Sequence, residues 1–242
     1  MVWQEKCGPR VSVALASYNG KQFIEEQLDS ILAQLTCDDE LVVSDDGSTD
    51  GTWELILRWA EADSRIRPVR NSHLGVVGNF NNALSRCVGD VVFISDQDDV
   101  WLPGKRQAMV ESLEESGADL VIHRWNRVDR SGAPVGGASR PGDDFELGFI
   151  RSLVASRYSG CCMALDRRAL RYVLPLPKTV LNYDRWIGLA CEAFGGVHKL
   201  DDVLLDHRIH DSNATPKGRG VFERAKERVA ILWELAKRRG CA

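Results

Sequence analysis

The chain has 242 residues and 44% of them are hydrophobic, which is enough for one large α/β domain or two small ones with a sizeable core. Its formal net charge of −4 gives no electrostatic basis for general nucleic-acid binding. No apolar run approaches the roughly 18 residues of a membrane-spanning helix. The N-terminus also lacks the apolar core of a signal peptide, so we expect a cytoplasmic protein.

The first half of the chain alternates short apolar runs with helical patterns. Residues 11–16 predict a buried strand, and the apolar residues between positions 23 and 35 then recur at helical spacing. This alternation predicts an α/β fold with a mostly parallel sheet and helices on both faces. Further strands are predicted at residues 41–44, 66–70, 91–94 and 120–125, and further helices at residues 53–60, 79–87 and 105–116.

The second half is less regular. Residues 130–144 are rich in Gly, Pro, Ser and charged residues and predict a loop. A tight turn at residues 159–160 runs into a buried strand that ends near residue 165. Another strand is predicted at residues 203–210, and helices are predicted at residues 145–155, 167–173 and 182–194.

The C-terminal segment differs in charge from the rest of the chain. Residues 217–239 carry eight Lys or Arg against three Glu and have an apolar stripe at helical spacing, which predicts a basic amphipathic helix. Two interpretations stay open. The helix either docks on its own domain or another subunit, or lies on an anionic membrane surface.

The seven cysteines include no Cys-x-x-Cys pair. We therefore expect reduced, mostly buried thiols rather than a disulfide framework or a zinc site.

Polar residues collect where three predicted strands end, at residues 17–19, 45–46 and 96–98. In open α/β sheets these ends line the ligand crevice. The last cluster is acidic, and carboxylates so close together repel one another, the more so when buried. Asp96 and Asp98 have the Asp-x-Asp spacing that offers oxygen ligands to Mg²⁺ or Mn²⁺. A solvated acidic turn at the start of a helix is the competing interpretation.

Three motifs together resemble the family-2 glycosyltransferases. They are Val-Ala-Leu-Ala-Ser-Tyr-Asn-Gly at 13–20, Val-Val-Ser-Asp-Asp-Gly-Ser-Thr-Asp-Gly-Thr at 42–52 and Phe-Ile-Ser-Asp-Gln-Asp-Asp-Val-Trp at 93–101. The residues of these motifs are most similar to the bacterial rhamnosyltransferase-like branch of the family. The resemblance covers roughly residues 10–213. It implies the GT-A fold and an inverting, metal-dependent enzyme that uses a nucleotide-sugar donor.

The resemblance implies a nucleotide site at the first two strand ends. Ala16, Ser17 and Tyr18 match the segment that cradles the base, and a Tyr ring is suited to stacking on a pyrimidine. Asp46 matches the acid that accepts the pyrimidine N3–H, while Asp45 shapes the turn.

The same resemblance implies a diphosphate and metal site. Asp98 is expected to bind Mn²⁺ or Mg²⁺ directly, and Asp96 to lie near the ribose or reach the ion through water. His210 is expected to complete the metal shell or bond the diphosphate, and Arg208 to contact phosphate. Asn79 matches a polar position near the donor.

On the acceptor side, Gly160 matches a glycine turn beside the acceptor pocket, where it would let the backbone approach the sugar. Asp184 matches the catalytic base that takes the acceptor hydroxyl proton. The family segment often reads His-Asp-x-Trp. Here Tyr183 replaces the His, so the assignment rests on Asp184, Trp186 and the distance from Gly160.

A purely structural role competes with the functional one at several of these positions, and the sequence leaves both open. Asp99 is expected to cap the following helix, although it could instead join the metal shell. In the structural interpretation Asp45 and Asp46 cap a helix, Asp184 is an ordinary N-terminal helix acid, Tyr18 only packs, and His210 lies on the surface or gives its role to His207.

The sequence thus predicts a single domain over residues 1–242, with a nucleotide-sugar-binding half at 9–125, an acceptor-side half at 126–216 and the basic helix at 217–242. The expected reaction moves rhamnose or another hexose from a UDP- or dTDP-sugar to a glycan or lipid-linked acceptor, in cell-surface polysaccharide synthesis. Such an enzyme works in the cytoplasm or peripherally on the membrane. A non-catalytic nucleotide-sugar binder is the main competing function. An Asp-x-Asp phosphatase fits less well, because its nucleophilic Asp normally follows the first strand.

Overall fold

The structure is a computed structural model that describes residues 8–135, 147–155, 158–210 and 221–239. In these residues one sheet contains eight strands in the order β3-β2-β1-β4-β7-β6-β8-β5. The strands are β1 (Val11–Ser17), β2 (Glu40–Asp45), β3 (Ile66–Arg70), β4 (Val91–Asp96), β5 (Val100–Trp101), β6 (Leu120–Val128), β7 (Met163–Asp166) and β8 (Val197–Arg208). The helices are α1 (Ile24–Leu32), α2 (Thr52–Ala62), α3 (Gly75–Leu84), α4 (Lys105–Ser116), α5 (Phe149–Val154), α6 (Leu170–Val173), α7 (Tyr183–Phe194) and α8 (Val221–Arg238).

The first half of the chain forms the parallel part of the sheet. β1 pairs in parallel with β2 and β4, and β2 pairs in parallel with β3. Successive side chains alternate between two cores: Ala14 and Val92 face one layer, whereas Val13 and Phe93 face the other. Helices cover both layers, with α3, α6, α7 and α8 on one face and α1, α2 and α4 on the other. The predicted parallel sheet and its helical cover are confirmed.

The second half adds antiparallel pairs. β7 lies between β4 and β6 and is antiparallel to both, whereas β8 runs parallel to β6. The strand predicted at residues 203–210 begins earlier, at Val197, and ends at Arg208. The first half of β8 was not predicted because its residues are exposed or half-buried and several are charged, namely Lys199, Asp201 and Asp202. Charged residues are uncommon in strands.

Three predicted helices have different limits. α3 begins at Gly75 rather than at residue 79. Gly75 adopts a φ of +70°, which glycine takes at little cost, and so carries the chain from the preceding loop into the helix. The helix predicted at residues 145–155 is described only as the short α5. The segment at residues 167–173 begins as a 3₁₀ turn before α6. Residues 136–146 of the predicted loop lie outside the described residues.

The described cysteines are free thiols, and all but Cys37 are buried; they are Cys37, Cys87, Cys161, Cys162 and Cys191. Cys7 and Cys241 lie outside the described residues. Among the described helices, none combines the length and the apolar composition needed to cross a bilayer.

Asp39 fastens the start of the parallel sheet to a helix on its face. Its carboxylate accepts hydrogen bonds from the Val11 N–H at 2.7 Å and from the Thr36 N–H at 2.7 Å. The Arg106 guanidinium of α4 donates to it at 2.8 Å, and the Asp39 side chain has no exposed surface. Burial alone would raise the pKa of Asp39, but these hydrogen bonds outweigh it and hold the pKa below its ordinary value of 3.8.

We expect Asp39→Asn to lower the free energy of unfolding by about 1.5–3 kcal/mol, because it removes charge-assisted hydrogen bonds in a buried position. The native pKa lies below 3.8, so the ionic contribution is complete at neutral pH and is lost as the pH falls from 3.8 through the native pKa. Urea denaturation across this range should therefore show the difference from the unmodified chain shrinking in acid. Asp29→Asn, at an exposed acid of α1, is the matched control. Equal stability of the two variants at neutral pH would contradict the argument.

Candidate functional site

Three strand ends meet at one edge of the sheet. Ser17 pairs with Asp45 in the register of β1 and β2, and Ala16 pairs with Asp96 in the register of β1 and β4. The side chain of Gln97 adds a link, because its Oε1 accepts a hydrogen bond from Ser17 Oγ at 3.0 Å. The polar segments that end these strands therefore lie side by side.

Tyr18 lies at the rim of this edge with 49% of its surface exposed. Gln97 holds its backbone, accepting from the Tyr18 N–H at 2.8 Å and donating to the Tyr18 carbonyl at 3.0 Å. The ring meets His73 edge to face, with centroids 6.0 Å apart. An exposed ring on a fixed backbone offers a face on which a base can stack.

The two acids after β2 have different partners. Asp45 accepts hydrogen bonds from both the hydroxyl and the backbone N–H of Ser48, the latter at 2.9 Å, and so shapes the turn. Asp46 accepts from the N–H of Leu74 at 2.6 Å and of Gly75 at 2.8 Å, which ties the start of α3 to this edge. Each carboxylate oxygen can accept a second hydrogen bond, so Asp46 keeps acceptor capacity for a ligand.

Asn79 supports the strand end from behind. The side chain is buried, its Nδ2 donates to the Ser17 carbonyl at 3.0 Å, and its Oδ1 accepts from Asn71 Nδ2 at 2.8 Å. These bonds place Asn79 in the protein interior, where it fixes the backbone of the predicted nucleotide site.

Asp98 and His210 are in direct contact, although 112 positions separate them in the sequence. Nε2 of His210 lies 2.9 Å from Asp98 Oδ2. The imidazole stacks on the ring of Phe23, with centroids 4.6 Å apart and planes inclined by 24°. The structure thus brings together the two residues that the resemblance gives to the metal.

The contacts of Asp99 with the end of β8 were not predicted from the sequence. The prediction that it caps a helix is wrong, because α4 begins only at Lys105. Its Oδ1 instead lies 2.8 Å from His207 Nδ1 and accepts from the Arg208 N–H at 3.1 Å, while its Oδ2 is buried without a hydrogen-bond partner. With Cys161, Asp99 and His207 form a group whose ligand-type atoms lie within 4.8 Å of one another. No sequence motif spans these three residues.

Arg208 is a buried brace. Its guanidinium donates to Glu26 at 2.7 Å, to the Asp98 carbonyl at 3.1 Å and to the Arg130 carbonyl at 2.8 Å. It also lies 5.2 Å from the centre of the Phe23 ring. Its charged group therefore joins α1, the acidic loop at residues 96–99 and the turn after β6. The resemblance had instead implied a phosphate contact for Arg208.

Burial and mutual repulsion define the electrostatics of the acidic loop. Burial, reinforced by neighbouring negative groups, raises the pKa of Asp96 and of Asp98, and raises that of Asp99 to about 6. Burial would lower the pKa of His207, but its interactions with Asp99 and Cys161 together outweigh this and raise the pKa to about 12.

The donor set fits a divalent ion. Asp98 supplies a carboxylate and His210 an imidazole 2.9 Å away, and 12% of the Asp98 side chain remains exposed. Oxygen and imidazole ligands suit Mn²⁺, and oxygen ligands suit Mg²⁺. Asp99, the next residue after Asp98, has a buried Oδ2 without a hydrogen-bond partner.

Gly160 touches the start of α7. A Cβ built at Gly160 would overlap the hydroxyl and ring of Tyr183. That hydroxyl donates to Asp96 Oδ1 at 3.4 Å, and the ring stacks on Phe80 with centroids 4.0 Å apart. The missing side chain at Gly160 thus makes room for Tyr183, which links the start of α7 to the end of β4.

Asp184 follows Tyr183 in the first turn of α7 and is half-buried. Its Oδ1 accepts from the Arg185 N–H at 2.6 Å. Burial raises the pKa of Asp184 to about 6, and the nearby Glu227 reinforces the shift. A carboxyl that ionises near the operating pH suits a general base.

Trp186 lies in the core. Its surface is fully buried, and its indole N–H donates to the Val173 carbonyl at 2.9 Å. The Arg238 guanidinium lies 4.7 Å from the centre of its ring. Trp186 therefore holds α7 in place from inside, whereas the sequence placed it on the acceptor side.

Comparison of the sequence with known proteins gives a consistent result. The profile described as glycosyl transferase family 2 matches residues 12–174. The putative teichuronic acid biosynthesis glycosyltransferase TuaG of Bacillus subtilis is 31% identical over 208 residues, covering 83% of this chain and 79% of TuaG. The Escherichia coli UDP-Glc:α-D-GlcNAc-diphosphoundecaprenol β-1,3-glucosyltransferase WfaP is 34% identical over 203 residues, covering 83% of this chain and 77% of WfaP. An uncharacterized glycosyltransferase of Nostoc is 29% identical over 214 residues, and the match covers 84% of this chain but only 66% of that protein.

Solved structures share the fold. Staphylococcus aureus TarS 1–349 in complex with UDP-GlcNAc superposes with a TM-score of 0.75 at 19% identity, covering 93% of this chain and 66% of that one. The mannosyltransferase PcManGT from Pyrobaculum calidifontis, in complex with GDP-Man and Mn²⁺, gives a TM-score of 0.66 at 21% identity, covering 98% of this chain and 74% of that one. The predicted GT-A-like fold is confirmed.

We expect Gly160→Ala to destabilise the protein by about 1–3 kcal/mol, because the new methyl group overlaps Tyr183 in a packed region. Since Tyr183 also contacts Asp96, activity should fall along with thermal stability. Gly196→Ala is the matched control, because a Cβ there makes only ordinary contacts with Ala118. If thermal melts showed the two variants to be equally stable, the contact between Gly160 and Tyr183 would not matter.

Proposed function

Because the chain belongs to glycosyl transferase family 2, we propose that it is a metal-dependent, inverting enzyme. It would move a sugar from a UDP- or dTDP-sugar to a glycan or lipid-linked acceptor by single displacement, in polysaccharide synthesis. The observation that carries this proposal is the pairing of Ala16 with Asp96 and of Ser17 with Asp45, beside the contact between Asp98 and His210.

We assign the nucleotide to the ends of β1 and β2. The exposed ring of Tyr18 is available to stack on the base, and Asp46 keeps acceptor capacity for a base N–H. The backbone of Ala16 and Ser17 would form the floor of this site. Asn79 would act indirectly, because its amide holds the Ser17 carbonyl.

We assign the metal to Asp98 and His210, with Asp96 near the ribose or linked to the ion through water. A bound Mn²⁺ or Mg²⁺ would neutralise charge on the departing nucleoside diphosphate. Arg208 would contribute by holding the Asp98 carbonyl, which keeps the acidic loop against α1.

We assign the proton transfer to Asp184. Its carboxylate would take the proton of the acceptor hydroxyl as that oxygen attacks the anomeric carbon, while the bond to the diphosphate breaks. The Tyr183 hydroxyl, bonded to Asp96, would keep the first turn of α7 beside the donor. Gly160 gives Tyr183 the space for this contact, and Trp186 anchors the helix in the core.

The names of the relatives guide the choice of substrates. WfaP is named as a UDP-glucose-dependent enzyme that acts on a diphosphoundecaprenol-linked sugar, and TarS was solved with UDP-GlcNAc. We propose UDP-glucose, UDP-GlcNAc and dTDP-rhamnose as the first donors to test, with a lipid-linked sugar as acceptor. Residues 1–242 would act as one domain, with residues 9–125 facing the donor and residues 126–216 facing the acceptor.

We expect Asp98→Asn to abolish metal-dependent stabilisation by the nucleotide. A ligand at 100 times its Kd stabilises a native protein by about 2.7 kcal/mol, which raises the melting temperature of a protein of this size by several degrees. A thermal-shift assay with UDP and Mn²⁺ should show this rise for the unmodified chain and not for the variant, whereas chelator should remove it. Asp202→Asn, an exposed acid of β8, should behave like the unmodified chain. A full shift in the Asp98 variant would remove this residue from the metal site.

We expect Asp184→Asn to lower kcat by about 10²–10⁴-fold while leaving the Kd for the donor near normal, because the interaction is needed only in the transition state. A base must be ionised to act, and burial raises the Asp184 pKa to about 6. The kcat of the unmodified enzyme should therefore fall as the pH drops below about 6, and the variant should lack this limb. Unchanged kcat in the variant would exclude Asp184 as the base. Donor binding without turnover in the unmodified chain would favour a non-catalytic binder.

A further inference from the structure

Helix α8 has two apolar faces, only one of which is covered. Ile231 and Leu235 are buried in the core, and Glu227 on the same side pairs with Arg185 at 3.2 Å. On the opposite side, Val229 is 66% exposed, Leu232 44% and Trp233 57%. One face docks on the domain, as one interpretation of the sequence predicted. The second face is exposed to solvent.

The exposed face continues onto α5. The Arg228 guanidinium donates to the Leu153 carbonyl at 3.1 Å and to the Val154 carbonyl at 2.7 Å, so the two helices are neighbours. Leu232 lies one turn after Arg228, on the side of α8 that faces α5. Ile150 and Val154 are the most exposed apolar residues of this neighbouring helix, at 75% and 60%. We call these five residues the outer patch: Ile150, Val154, Val229, Leu232 and Trp233.

Positive charges border the outer patch. Lys226 and Lys237 lie along one edge of the apolar stripe, and the Lys237 Nζ lies 3.0 Å from the centre of the Trp233 ring. Arg239 and Arg151 are exposed at other borders. Of the acids on α8, Glu234 pairs with Lys237, Glu227 pairs with Arg185, and Glu223 is exposed in the first turn. An apolar stripe with a basic border is complementary to an anionic lipid surface.

We propose that the outer patch docks on the surface of a bilayer that contains anionic lipids. Trp233 would lie at the level of the headgroups, where amphipathic rings are favoured. Lys226 would extend its charge toward lipid phosphates while its stem covers apolar surface. A second copy of the chain fits less well, because a twofold contact would bring two positively bordered patches together.

The patch is linked mechanically to the proposed catalytic helix. Arg185, the neighbour of Asp184, donates to the Leu153 carbonyl of α5 and pairs with Glu227 of α8. Docking through α5 and α8 would therefore hold the first turn of α7 close to the bilayer. A lipid-linked acceptor would then reach Asp184 from the membrane side, a consequence that rests on the proposed function.

Vesicle sedimentation tests the docking without any need for turnover. The unmodified chain should bind vesicles of phosphatidylcholine mixed with phosphatidylglycerol, bind vesicles of phosphatidylcholine alone much less, and detach as salt is added. Val229→Gln combined with Trp233→Gln should weaken binding by about tenfold or more, because two large apolar side chains no longer enter the interface. Gln is a good helix former, so α8 should persist, and circular dichroism can check this.

Matched control variants distinguish docking through the outer patch from non-specific hydrophobic binding to vesicles. Leu57→Gln combined with Val88→Gln removes two exposed apolar side chains outside α5 and α8 and should leave vesicle binding unchanged. Lys226→Gln should weaken binding to anionic vesicles by about fivefold, the effect of one charge near such a surface, whereas Arg58→Gln on α2 should not.

Two results would overturn the proposal. One is equal vesicle binding by the outer-patch variant and its Leu57/Val88 control. The other is a dimer in light scattering that dissociates in the outer-patch variant, which would mean that a second copy covers the face. The vesicle measurement uses no donor or acceptor. Failure of the docking proposal is therefore distinguishable from failure of the transferase assignment.

Discussion

The structure depends on accommodating three carboxylates at the end of one buried strand. Asp96 is the last residue of β4 and Asp98 and Asp99 come soon after it, and burial with mutual repulsion raises the pKa of each. Two histidines from a distant segment compensate this negative charge. His207 contacts Asp99, and His210 contacts Asp98. This electrostatic demand explains why the end of β8 must return to the end of β4.

The sheet is built so that this return is possible. β8 runs parallel to β6, and its last residues meet the acidic loop. There Arg208 joins α1, the Asp98 carbonyl and the turn after β6. β7 lies between β4 and β6 and leads from Gly160, whose missing side chain admits Tyr183. The parallel and the antiparallel parts of the sheet are therefore joined through the same few polar contacts. A substitution that breaks these contacts in one part of the sheet should therefore also disturb the other part.

The sequence predicted the parts of this arrangement that depend on local pattern. Alternating apolar runs were sufficient for the parallel strands and for α4, and the three motifs identified the strand ends. Contacts between residues far apart in the chain could not be predicted from the sequence. The contact between Asp99 and His207 depends on the register of β8, whose first half is concealed by charged, exposed residues. The burial of Trp186 and the protein partners of Arg208 likewise follow from packing, which no spacing in one sequence reveals.

Exposure divides the acidic loop into an outer and an inner carboxylate. The Asp98 side chain keeps 12% of its surface exposed, whereas the Asp99 side chain keeps none. Asp99 already receives the Arg208 N–H and contacts His207, so its main effect is to fix the end of β8. That fixation sets the position of His210, three residues beyond His207, against Asp98. The inner pair thus acts as a brace. In the proposed function, the outer pair would exchange its mutual contact for a shared cation.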